Sequence, residues 1–227
     1  MKGIYRLSRE LLSIFVLLTG VLCYNCFADQ NYGEMAFRAS ADTAPQVALT
    51  FDDGPDPVWT PQLLDGLKER GVHATFFLIG KKVEGQEKLV ERIYREGHLI
   101  GNHTYNHVDL SKLAKRDAKE EIEKTSNEIY KITGEYPCYL RPPFGRWREE
   151  LEFQVEMLPV LWNVDPDDWQ RTDVDGIVRD VESKVSDGSI ILLHDCYETS
   201  VESALRIVDD LKKQGYQFVT ADQMILE

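Results

Sequence analysis

Short apolar runs alternating with longer amphipathic, charge-laced segments predict an α/β chain. Its mainly parallel sheet should curl into a distorted (β/α) barrel of about seven strands, closed or incomplete. Three observations carry that prediction. The alternation is sustained across residues 45–227. No glycine-rich dinucleotide fingerprint follows the first strand, which removes support for an open nucleotide-binding sheet. Finally, Asp52-Asp53, His103, Arg141, Asp165 with Asp168, and His194 each fall at the C-terminal end of a different predicted strand. That rim is where a β/α barrel collects its active site.

In chain order, the apolar run 47–51 predicts the first strand, and the amphipathic segment 61–70, stopped by Gly71, the first helix. Residues 74–79 give a second strand and 86–96 a helix that Gly97 ends. Residues 98–102 form the third strand, followed by a long charged helix over 117–133. Strands at 139–141 and 159–164 flank an irregular connection, and a helix follows at 174–185. The wholly apolar run that ends in His194 predicts a strand over 189–194. A helix over 200–214, stopped by Gly215, and a last strand over 217–220 complete the set.

Ahead of this domain, Lys2, Arg6 and Arg9 precede an apolar run over 11–22 and small or weakly polar residues up to Ala28. A basic n-region, an h-region of about 12 residues and a small residue before the cut make a secretory signal peptide over 1–28. The run falls short of the about 20 apolar residues a membrane span needs; an uncleaved anchor is the alternative. Residues 29–44 read as a polar tether. The domain is therefore expected outside the cytoplasm, secreted or membrane-tethered.

The chain carries a formal net charge of −13, and without residues 1–28 the balance is 23 basic against 38 acidic residues, about −15. Such a surface argues against nucleic acid and anionic membranes as partners. No obligate protein partner is inferred. Of the cysteines, Cys138 and Cys196 lie in the domain, too few for a disulfide-built fold, and free thiols are expected.

The chemistry concentrates in two clusters, Thr50-Phe51-Asp52-Asp53-Gly54-Pro55 and Gly101-Asn102-His103-Thr104-Tyr105-Asn106-His107. A carboxylate and two imidazoles are the N/O ligand set of an open divalent-metal site. His103 and His107, four apart, can point at one ion from a helical turn or a tight loop. Neighbouring side chains at a strand end diverge, so one aspartate can bind metal while the other reaches the metal's water as a base. Arg141-Pro142-Pro143-Phe144-Gly145 adds an arginine before a stiff turn, Asp165-Pro166-Asp167-Asp168-Trp169 an acidic loop with an aromatic, and Leu192-Leu193-His194 a strand-terminal imidazole.

In order and type these five segments resemble the motifs of the polysaccharide deacetylases, carbohydrate esterase family 4, also called the NodB-homology domain. The resemblance covers roughly residues 45–226. It implies a distorted β/α barrel and metal-dependent removal of acetyl groups from N-acetylated sugar polymers. On that resemblance Asp53, His103 and His107 would hold one divalent ion, zinc by its mixed N/O ligands, with cobalt or nickel as alternatives. Asp52 would be the general base toward the metal's water, and Arg141 would pair with it. The backbone N–H of Phe144 would assist at the oxyanion, His194 would be the general acid, and Asp168 would orient His194. Trp169 and Leu192 would line the acetyl-methyl pocket, with Asp165, Tyr105, Trp59 and Trp147 on a sugar-binding rim. His98 and His73, at the opposite ends of their strands, are set aside. Phe144 stands where the family more often has tyrosine, and Arg146-Trp147 after the glycine is also less typical.

The expected activity is deacetylation of N-acetylglucosamine units in a cell-wall polysaccharide, with an acetylated glycan, peptidoglycan or chitin-like, as the binding partner. Two alternatives stay open. One keeps the chemistry on an O-acetyl xylan or a soluble chitin oligomer; the other is a non-catalytic glycan-binding module.

Overall fold

The computed structural model describes residues 44–146, 148 and 157–225; the expected signal segment, almost all of the tether, Trp147 and most of the 146–158 connection lie outside them. The strands are β1 (Gln46–Asp52), β2 (Thr75–Leu78), β3 (Leu99–Asn102), β4 (Tyr139–Leu140), β5 (Leu158–Pro159), β6 (Ser189–His194) and β7 (Gln217–Val219). The helices are α1 (Trp59–Arg70), α2 (Gly80–Val83), α3 (Glu87–Arg95), α4 (Lys115–Thr133), α5 (Val174–Lys184), α6 (Glu198–Lys213) and α7 (Ala221–Ile225). The short α2 and α7 were not anticipated: each is too brief for a helical period to show in sequence.

All the strand pairs are parallel, in the order β5-β4-β3-β2-β1-β6. β6 runs beside β1 from Val47 to Asp52. On the other side of β1, β7 pairs with Gln46–Ala48 and β2 with Thr50–Asp52. Beyond β5 the chain continues irregularly to Val164, which makes a single parallel bridge to Ile191 of β6. That bridge brings the sheet back on itself as a distorted barrel.

The strand expected over 159–164 is thus interrupted. Its carbonyls are diverted from the ladder: Val160 O accepts from Arg141 Nε at 3.1 Å and Leu161 O from Arg141 Nη2 at 3.3 Å. A buried guanidinium needs acceptors for its five donors, and here it draws them from strand backbone.

Side-chain alternation sends the apolar residues of the strands to both faces of the sheet. Val47, Leu49 and Phe51 of β1 pack outward with Phe76, Leu78, Ile191 and Leu193 against the helices. The inner face carries Phe77, Val160 and Ala221, with Leu99, Tyr139 and Ile190 against them, as an apolar floor inside the barrel. The Arg141 guanidinium rests on Phe77, 4.3 Å from the ring centre. Gly101 faces the same ring so closely that a Cβ would overlap it, so the space inside the barrel requires glycine there.

Candidate active site

The donor cluster is assembled by two loops that leave the sheet at the ends of β1 and β3, on either side of β2. β1 finishes at Asp52, and Asp53 takes φ 70°, a left-handed conformation that breaks the strand's alternation and turns its carboxylate toward the neighbouring loop. After β3, Thr104 (φ 62°) and His107 (φ 55°) close a tight turn, with Asn102 Oδ1 accepting from Thr104 N–H at 2.8 Å. Phe144 and Asp167, in the other rim loops, also have positive φ. Backbone strain of about 1–3 kcal/mol per such residue persists only where the surroundings enforce it, commonly at functional sites.

Asp53 Oδ1 lies 3.4 Å from His103 Nε2 and 3.3 Å from His107 Nε2. The ligating atoms of these three residues all fall within 4.8 Å of one another. Asp53 Oδ1 is buried without a hydrogen-bond partner among the described residues, a costly state unless something else occupies its lone pairs. His103 Nδ1 lies 2.7 Å from the carbonyl of Arg141; donating there leaves Nε2 free as a ligand, the usual outer-shell arrangement of a metal-binding histidine. Burial works to raise the Asp53 pKa, but the proximity of His103 first, and of His107 and His194, holds it well below the usual carboxylate range. Burial lowers the His107 pKa, favouring the neutral ring that ligates. A carboxylate and two imidazoles with lone pairs directed at one point fit a divalent cation. Zinc should therefore raise the melting temperature of chelator-treated protein, by about 2.7 kcal/mol of stability at a hundredfold excess over Kd. His107→Ala should abolish most of that gain in a thermal-shift titration.

Beside the donors, Asp52 faces into the barrel and its Oδ1 accepts from Arg141 Nη1 at 2.9 Å. Arg141 is 0% exposed, and Nη1 also donates to Thr50 Oγ1 at 2.6 Å. Asp52 Oδ2 remains on the donor side, 3.7 Å from His103 Nε2. Across the cavity, Asp168 receives both the backbone N–H of His194 and its Nδ1, each at 2.8 Å. Burial opposes the charged imidazole, but the hydrogen bond and charge of Asp168, with Asp52 and Asp53, prevail and push the His194 pKa up to about 9. The carboxylates around His194, Asp168 first among them, thus favour its charged imidazole.

A cavity of about 350 Å³ joins these groups. Asp52, Asp53, His103, His107, Phe144, Asp165, Trp169, Leu192 and His194, all singled out in the sequence, line it. Arg141 and Asp168 stand behind the lining, in contact with Asp52 and His194. Tyr105 is a correction. It is only 8% exposed, its hydroxyl donates to Glu84, and Lys124 covers its ring, so it serves the loop rather than the sugar rim. The positive φ of Thr104 reverses the chain direction just before it, which strand-like alternation cannot anticipate. Trp59 packs against the main core and does not line the cavity.

Trp162 and Tyr197 line the cavity without having been singled out. Trp162 donates its indole N–H to Asp165 Oδ2 at 3.1 Å, so the acidic loop is pinned by an aromatic from the interrupted strand. The available signal for Tyr197 was its position three residues past His194. Cys138 and Cys196 are both free.

The model of the polysaccharide deacetylase family matches residues 39–160. The chain belongs to that family. The peptidoglycan-N-acetylmuramic acid deacetylase PdaC of Bacillus subtilis is 43% identical over 178 residues, 78% of this chain and 38% of that protein. The peptidoglycan-N-acetylglucosamine deacetylase PgdA of Listeria monocytogenes is 36% identical over 184 residues, 81% of this chain and 40% of that protein. The chain thus spans about two fifths of the length of these curated relatives. The solved structure of PdaC superposes with a TM-score of 0.78 at 42% identity, covering 80% of this chain and 90% of that one. The α/β barrel is accordingly that of the polysaccharide deacetylases.

Proposed function

We propose that this chain is a metal-dependent hydrolase that removes N-acetyl groups from N-acetylglucosamine units of peptidoglycan, working outside the cytoplasm. One observation carries the proposal: Asp52, the Asp53-His103-His107 donor set and the Asp168-held imidazole of His194 converge on one cavity. An amide nitrogen leaves poorly unless protonated, so its hydrolysis needs a base and an acid in one site. The names of the relatives support the polymer, and the signal-like N-terminus supports the location.

Asp53, His103 and His107 would hold a divalent ion, taken as zinc, which when bound would supply Lewis acidity toward water and a carbonyl oxygen. Asp52, oriented by Arg141, takes the proton of the attacking water. The Phe144 N–H, at the cavity rim, is the donor offered to the acetyl oxygen. Trp169 and Leu192 enclose the methyl group and exclude water behind it. His194, held by Asp168, delivers its proton to the departing sugar nitrogen. A binding module has no use for such an opposed acid and base.

The test is acetate release from N-acetylglucosamine oligomers and from purified peptidoglycan, with and without chelator. Chelator-sensitive release is expected, and chelator-insensitive activity would overturn the mechanism. The acid must be protonated to act, so kcat should fall as pH rises through about 9, the value to which His194 is pushed. Asp168→Asn removes the main support of the imidazolium and should move that alkaline limb to lower pH; an unmoved limb in the pH–rate profile would assign the proton to another group.

A further inference from the structure

The turn that joins the two histidine ligands is held from outside by a single carboxylate that no step above uses. Glu121 lies on α4, remote in sequence from both clusters. Its Oε2 accepts the backbone N–H of Tyr105 at 3.0 Å and of Asn106 at 2.8 Å. Its Oε1 accepts the side-chain amide of Asn106 at 2.7 Å. These three donors all belong to residues lying between His103 and His107. A carboxylate, which only accepts, suits a group of donors converging on it. The first residues of α2 grip the same turn: Gly80 N–H reaches Thr104 O and Lys81 N–H reaches Tyr105 O, both at 3.0 Å.

The turn it holds is strained at both ends, with Thr104 and His107 at positive φ. Left alone, such a turn relaxes toward commoner conformations and carries His107 away from Asp53. We propose that Glu121 is a positioning residue for the metal centre, holding the 103–107 turn in its ligating shape before any ion arrives. The proposal rests on Asp53, His103 and His107 being the metal ligands. Outer-shell partners of this kind commonly contribute about 10–100-fold to metal affinity.

The test is a cobalt(II) titration of the metal-free protein, read by visible absorption and by melting temperature. Glu121→Ala should raise the cobalt Kd at least about tenfold. Glu121→Gln, which keeps one strong acceptor and pairs with a flipped Asn106 amide, should recover most of the affinity. The metal-induced rise in melting temperature should shrink in the alanine variant by the same free energy that the Kd loses. Equal losses of melting temperature in metal-free and loaded protein, with unchanged Kd, would make Glu121 a fold element only and overturn the proposal. If Glu121→Ala fails to fold, Asn106→Ala, which removes the amide that donates to Oε1, carries the test: weaker cobalt binding is expected, and a parent-like Kd overturns the proposal. A parent protein that binds no cobalt removes the metal centre itself, a result separate from parent-like binding by the variants.

Discussion

Asp52→Asn should lower kcat for acetate release by about two to four orders of magnitude while leaving metal binding in place. The replacement keeps the shape of the side chain and its contact with Arg141 Nη1, now 2.9 Å from Oδ1. It removes the one carboxylate oxygen, Oδ2, that faces the donor cluster without belonging to it. A carboxamide cannot accept the water's proton. The variant also leaves the Arg141 charge without its counter-ion, a loss of about 3–5 kcal/mol when a buried pair is broken. That is a large share of a typical stability of about 5–15 kcal/mol, so folding has to be measured beside rate. A melting curve and a cobalt titration on the same preparation separate the two effects. Undiminished turnover would remove Asp52 from the mechanism.

Arg141→Met should be the most destabilising single change at the site, by about 3–5 kcal/mol in denaturant unfolding. The guanidinium is 0% exposed, stacks on Phe77, and donates to Asp52, Thr50 and the carbonyls of Val160 and Leu161. Methionine fills part of the volume but leaves a buried carboxylate and two strand carbonyls without their donor. The double variant Asp52→Asn with Arg141→Met should be more stable than the sum of the single losses, because the second change removes the charge stranded by the first. Simple additivity in that cycle would mean that the pair is not coupled.

Most of the barrel was legible because β1 and β6 are near-continuous apolar runs and glycines end several helices; Gly71, Gly97 and Gly215 have φ of 60°, 83° and 91°. The groups at strand ends were legible for a simple reason: aspartate, arginine and histidine are conspicuous where an apolar strand stops. What stayed hidden came from elsewhere. Glu121 is one of many glutamates on a charged helix, and only the fold shows which turn it meets. The break after β5 was invisible because its cause, Arg141 drawing on the carbonyls of Val160 and Leu161, lies about twenty residues upstream. Tyr105 misled because an aromatic beside ligand residues suggests a sugar platform, whereas its hydroxyl is turned to Glu84.

The Phe77 ring seated over Gly101, with Val160 and Ala221 packed around it, makes the barrel a cup and not a pipe. A glycan strand cannot be threaded through such a vessel, nor does it need a free end to be taken up. On the function proposed above, it would lie across the mouth and lower one acetamido arm into the cup. Such a shape would, on that function, suit a deacetylase that meets its polymer side-on, in the middle of a chain as well as at its end.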